Sequence, residues 1–324
     1  MAPQIAWIGL GNMGRVSDRA SDCSTAILLM FLSQGMVKNM VEKGNLSNSI
    51  ILFNRTQSRA DQLASSLGSG KAKVVSSIEE AVNASDIIFT CVGDDKAIEE
   101  TINSALKGDA KGKLFVDCST VHPDTTDKLA KTINDKGAEF VACPVFGAPA
   151  MADAGQLVCV LAGPADAVDK VKPYTTGVMG RAVIDYSGEP HGSATRLKII
   201  GNTFILNMVE TLSEGHTLAE KSGLGSDRLH QFVETMFPGP YTAYSNRLRQ
   251  GDYYKREEPL FAVDLARKDA GHALALAKTH GVKMRDVEVA DQHLAQVQKH
   301  MGSKGDIAGI YGAVRQEADL KFEN

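Results

Sequence analysis

Lys198 and Asn202 stand four residues apart in Gly192-Ser-Ala-Thr-Arg-Leu-Lys198-Ile-Ile-Gly-Asn202, a stretch whose neighbours are largely apolar. That spacing sets both polar side chains on one helix face, about one turn apart. A lysine amine facing a cleft loses hydration, and a neighbouring positive charge lowers its proton affinity further. It can then exchange a proton near neutral pH as a general acid or base, with Asn202 orienting the amine or a substrate oxygen. On its residue type alone, Lys198 reads more readily as a solvated helix lysine.

A second pattern opens the chain. Ile5-Ala-Trp-Ile8 reads as a buried strand, and Gly9-Leu10-Gly11-Asn12-Met13-Gly14 follows it at G-x-G-x-x-G spacing. Such a turn brings the backbone close to a pyrophosphate, which then rests on the N-terminus of the next helix. These six residues are the expected phosphate-binding loop. A second strand, Ile50–Phe53, ends in Asn54-Arg55-Thr56, where a dinucleotide's adenosine ribose is read. A carboxylate there would accept from a 2′-hydroxyl, whereas arginine with small polar neighbours accommodates a 2′-phosphate. The absence of a carboxylate predicts NADP(H) in preference to NAD(H), although the same composition suits a solvated turn.

The elements that must carry these residues alternate. Strands over Lys73–Val75, Asp86–Val92 and Lys113–Cys118 are separated by helical stretches, which predicts parallel βαβ units in a doubly wound α/β sheet. Ligands in such sheets lie beyond the carboxyl ends of the strands, so Val92, Gly93, Ser119 and Thr120 are expected to line the cleft. Ser119 or Thr120 is also expected to cap the helix containing Pro123, with His122 as a local hydrogen-bonding group. Further strands are expected over Glu139–Cys143, Leu157–Ala162 and Ala182–Asp185. Beyond them the pattern turns helical, with stretches at Ser193–Lys221, Arg228–Thr235, Leu260–His280 and Asp286–Lys299. The change divides the chain into a dinucleotide-binding domain, 1–187, and an all-helical domain, 188–324.

Residues 16–34 interrupt this plan. Joining Arg15 to Gly35 would restore an unbroken loop-to-helix unit, in which Met36, Val37, Met40 and Val41 share one face and Gly44 ends the helix. The segment starts Val-Ser and ends in Gln, compatible with a retained intron read in frame. A natural longer helix or surface loop is the alternative.

A formal net charge of -4, with no long basic run, argues against nucleic acid. Five cysteines without metal-like pairing are expected to be reduced and buried, and the scattered histidines predict no metal site. No Gly-x-Ser-x-Gly elbow is present. The first strand leaves no room for a leader, and the apolar run Ala26–Leu32 is too short to span a bilayer. A soluble cytoplasmic protein is expected, with no membrane partner.

Together these motifs resemble the β-hydroxyacid dehydrogenase family, which includes 3-hydroxyisobutyrate dehydrogenases and glyoxylate/succinic semialdehyde reductases. The blocks carrying the resemblance are the glycine loop; Asp117-Cys-Ser119-Thr120 with Pro123; Pro144-Val-Phe-Gly147 with Ala154-Gly155; Gly192 to Asn202; and Phe261, Leu265, Lys268 and Asp269. They span almost the whole chain outside 16–34. The resemblance implies a Rossmann-type N-terminal domain, a long interdomain helix and an all-α C-terminal domain forming homodimers or homotetramers. It implies that Lys198 protonates a carbonyl oxygen as hydride arrives from the nicotinamide, that Ser119 and Asn202 hold the substrate, and that Lys268 lies at the cofactor. The substrate would be a small semialdehyde or keto acid and its hydroxy acid. Where members of the family often have Ser-Gly-Gly, this chain has Phe146-Gly147-Ala148. An apolar wall replaces a hydroxyl donor, which suits a bulkier or less polar carbonyl. Related imine reductases commonly carry Asp or Tyr at the position of Lys198, so lysine favours carbonyl reduction. An inactive dinucleotide-binding protein, disabled by the 16–34 segment, is the remaining alternative.

Overall fold

The computed structural model describes residues 2–10 and 32–324 in full and 23–31 as backbone. Gly11, Asn12, Met13 and Gly14 of the glycine loop lie outside the described residues, as does the start of the 16–34 segment. Two compact units result, one holding the first strand and Ala26–Lys198, the other Ile199–Asn324.

In the first unit, strands β1 (Ile5–Ile8), β2 (Ile50–Phe53), β3 (Ala72–Val74), β4 (Ile87–Thr90), β5 (Leu114–Asp117), β6 (Glu139–Ala142), β7 (Val145–Phe146), β8 (Leu157–Gly163) and β9 (Gly180–Ser187) form one sheet. Their order is β3-β2-β1-β4-β5-β6-β8-β7, with β9 paired to β8. Strands β1 to β6 pair in parallel, which is the Rossmann-type arrangement. The expected parallel run stops at β8, which lies antiparallel to β6 and β7. The link 147–156 is too short for the crossover that a parallel return needs.

Helices cover both faces: α1 (Cys23–Lys43), α2 (Gln57–Leu67), α3 (Ile78–Asn83), α4 (Asp95–Ala105), α5 (Pro123–Asn134), α6 (Pro149–Asp153) and α7 (Ala165–Val171). Every residue of β1 is buried, as a strand covered on both sides must be. Ile5 and Trp7 pack with Met36 and Met40 of α1, while Ala6 and Ile8 pack on the other face with Ile98, Ile102 and Leu129. Trp7 stacks on Phe89 at 5.5 Å between ring centroids. The first helix is longer than the sequence pattern suggested: it starts at Cys23 rather than Gly35, so the last part of the 16–34 segment is continuous with it. The Gly44 N–H closes its final turn on the Met40 carbonyl.

The second unit is entirely helical among its described residues. α8 (Gly192–Lys221) runs on from the first unit and is followed by α9 (Ser226–Met236), α10 (Pro240–Gln250), α11 (Asp252–Lys255), α12 (Val263–Thr279), α13 (Arg285–Met301) and α14 (Ile310–Glu317). Leu206, Val209 and Leu212 of α8 meet Leu294 of α13 and Tyr311 of α14 in its core.

Candidate active site

The turn after β1 is fixed from two directions. Gly9 has φ +96°, and a Cβ there would fall 2.4 Å from the Cys91 carbonyl oxygen, so only glycine lets the turn pass this close to β4. The Gly9 N–H donates to the Phe53 carbonyl, and the Leu10 N–H to Asn54 Oδ1 at 2.9 Å. Asn54 also donates to the Thr56 carbonyl and is only 5% exposed. Its amide therefore braces the loop against the end of β2. Arg55 and Thr56, both exposed, present their side chains at that strand end, and Thr56 stands before α2 with no side-chain cap bond.

The ends of β4 and β5 are joined through Ser119. Its hydroxyl donates to Asp117 Oδ1 at 2.7 Å and accepts the Val92 N–H at 2.9 Å. Asp117 also accepts from Thr90 Oγ1 at 2.8 Å. Burial pushes the Asp117 carboxyl up to about 6, against the lowering effect of the Ser119 and Thr90 hydroxyls. Ser119 is buried, Gly93 lies beside Val92, and Thr120 is half-exposed. Neither Ser119 nor Thr120 caps the following helix. The cap is His122, whose Nδ1 accepts the Asp124 N–H while Pro123 takes the first helical position. The reason is register: α5 begins at Pro123, four residues beyond a serine already engaged elsewhere.

Lys198 is carried by the opening turns of α8. The Gly192 N–H at that helix start donates to Asp127 Oδ1 of α5 at 2.8 Å, and His191 Nε2 meets the Phe140 carbonyl at 2.9 Å. So anchored, Lys198 is 8% exposed and its Nζ lies 4.4 Å from the centroid of the Phe146 ring. Gly147 and Ala148 follow as an exposed turn into α6.

In the second unit, Asn202 Nδ2 donates to Asp269 Oδ2 of α12 at 2.6 Å. Lys268 Nζ lies 3.4 Å from Asp269 Oδ1. A narrow cleft there is lined by Asn202, Thr203, Leu206, Phe261, Ala266 and Asp269. Asp117 and Asp269 were not among the expected site residues, although both lie inside the motifs that carry the family resemblance. Their signal is an acidic residue on an apolar strand end or helix face, where burial demands a partner.

Among the described residues no group of three or more His, Cys, Asp or Glu side chains forms a metal site. No described helix is long and apolar enough to cross a membrane.

Residues 31–188 match a family described as the NAD-binding domain of 6-phosphogluconate dehydrogenase. Residues 192–314 match the NAD-binding family of NADP-dependent 3-hydroxyisobutyrate dehydrogenase. The chain is 37% identical to the NADH-dependent oxidoreductase ucdB of Aspergillus ustus, over 90% of its own length and 98% of that protein's. The chain belongs to the β-hydroxyacid dehydrogenase family. It is an oxidoreductase with a nicotinamide dinucleotide-binding domain. This family member is also 30% identical to glyoxylate/succinic semialdehyde reductase 2, chloroplastic, of Arabidopsis thaliana, over 86% of this chain and 76% of the plant protein. Its fold matches Mycobacterium tuberculosis 3-hydroxyisobutyrate dehydrogenase with L-serine at a TM-score of 0.78 and 19% identity, covering 97% of this chain and all of that one. The first family match begins at residue 31, so β1 and the glycine loop fall outside it.

Proposed function

We propose that this dehydrogenase reduces a small aldehyde or keto acid with NADPH, and oxidises the hydroxy acid in reverse, with Lys198 as the general acid and base. The observation that carries this reading is a lysine residue only 8% exposed on the helix that leaves a dinucleotide-binding unit. Gly9 fits the close backbone approach that a pyrophosphate requires. Arg55 offers a planar cation for a 2′-phosphate, and the exposed start of α2 beside Thr56 adds donors. Bound nicotinamide supplies the hydride. As hydride reaches the carbonyl carbon, the Lys198 ammonium donates its proton to the developing alkoxide oxygen, stabilising charge that exists only in the transition state. Asn202, one turn further along α8, orients that oxygen, and Asp269 fixes the direction of its amide. Ser119 holds the substrate from the ends of β4 and β5. Its proton is committed to Asp117, so it offers a substrate a lone pair rather than a donor.

A second reading of the substrate rests on Phe146. An apolar ring beside the amine favours a bulkier, less polar ketone over a compact keto acid. The decisive experiment titrates NADPH and NADH into the full chain and follows oxidation with glyoxylate, succinic semialdehyde and larger ketones. The Aspergillus relative is named for NADH, so both cofactors belong in the titration. NADPH-preferring turnover with any of these carbonyls supports the reading. Tight cofactor binding without turnover of any of them contradicts it, and supports a binding protein instead.

A further inference from the structure

We propose that Phe146 is a positioning residue, whose ring face holds the Lys198 ammonium in its proton-donating orientation. This rests on the role proposed for Lys198, and the site is the same one. The Lys198 Nζ lies 4.4 Å from the ring centroid, within the range of a cation–π contact. A lysine has a long flexible stem and no fixed head geometry, so a poorly hydrated site must constrain it from outside. A ring face attracts the charge through its quadrupole and accepts no proton.

The ring is itself held firmly. Phe146 pairs with Val158 and Val145 with Cys159 across β7 and β8. Immediately after it, Gly147 takes φ +140°, and a Cβ there would fall 2.6 Å from Leu157 Cδ2. Strand pairing on one side and a glycine-only turn on the other leave the backbone little freedom at Phe146. The ring packs against the core on the α4 and α5 side of the sheet, and so does Leu197, the residue preceding the lysine. Ring and amine are thus set by two separate anchors, β7 and the start of α8.

The test compares Phe146→Leu, which keeps apolar bulk and removes the quadrupole, with Phe146→Tyr, which keeps the ring. Two readouts are taken: kcat at saturating NADPH and substrate, and the rate at which trace acetic anhydride acetylates Lys198 in the cofactor-free protein, measured by mass spectrometry. Phe146→Leu is expected to lower kcat roughly fivefold and to speed Lys198 acetylation severalfold, while Phe146→Tyr restores most of both. Equal behaviour of the two variants in acetylation would overturn the ring's hold on the amine. Unequal acetylation with equal kcat would instead contradict Lys198 as the acid, and with it the positioning role. Dissociation constants for NADPH, expected to stay within about twofold, exclude a general collapse of the domain.

Discussion

The Ser119 hydroxyl accepts the Val92 N–H at 2.9 Å while donating to Asp117, which ties the end of β4 to the end of β5. Ser119→Ala leaves that buried N–H without an acceptor, a loss worth about 1–3 kcal/mol. Urea unfolding should show a lower midpoint with an unchanged slope, together with weaker NADPH binding. Unchanged stability would mean that the bridge is dispensable.

The ribose end is tested by Arg55. If it pairs with a 2′-phosphate, Arg55→Ala removes a charge-assisted bond of about 1.5–3 kcal/mol, which is roughly a ten- to hundredfold loss of NADPH affinity. NADH affinity should stay within about twofold, since that cofactor has no phosphate there. Parallel losses for both cofactors, measured by fluorescence titration, would contradict the assignment.

Asp269 holds the Asn202 amide at 2.6 Å. Asp269→Ala frees that amide to rotate, and the substrate's kcat/KM should fall by about tenfold. The dissociation constant for NADPH should change little. A matching loss in cofactor affinity would place the effect in folding rather than in substrate orientation.

His293 of α13 links two carboxylates, Glu210 of α8 at 2.8 Å and Glu317 of α14 at 3.1 Å. The hydrogen bond to Glu210 is the largest cause raising its proton affinity above the ordinary histidine value, with Glu317 adding to it and burial opposing it. A raised value in the folded state means the imidazolium's stabilisation is complete below about pH 6.5, the unfolded histidine value, and is lost as pH rises through the folded value. His293→Leu strands a buried carboxylate at a cost of about 3 kcal/mol. Thermal melts should show the gap between native and variant proteins narrowing from pH 6 to pH 8.5. A constant gap would contradict the charged pair.

How far these features were legible in the sequence depends on what stabilises each. β1, β4 and β5 were readable because strands buried on both faces need unbroken apolar runs, and α8 because its apolar spacing persists for thirty residues. α10 was not, because its middle packs through polar groups. Ser245 is fully buried and its hydroxyl is bonded by both His216 and His230 at 2.8 Å, so no apolar period marks that helix. α14 was missed for a related reason: Arg315 is buried at its end, paired with Glu220 and bonded to the Lys321 carbonyl. Asn54 was read as a cofactor contact because sequence places it at the ribose end. Only the fold brings Leu10 to it across β1 and β2. The pairing of Phe146 with Lys198, 52 positions apart in the chain, is likewise a product of β7 and α8 meeting.

Proton transfer by Lys198 is measured by single-turnover kinetics of Lys198→Ala with preloaded NADPH. The expected result is a hydride-transfer rate lower by roughly 10²–10⁴-fold, with NADPH affinity within about twofold of the native protein. A rate within tenfold of native, at equal cofactor affinity, would show that another group supplies the proton.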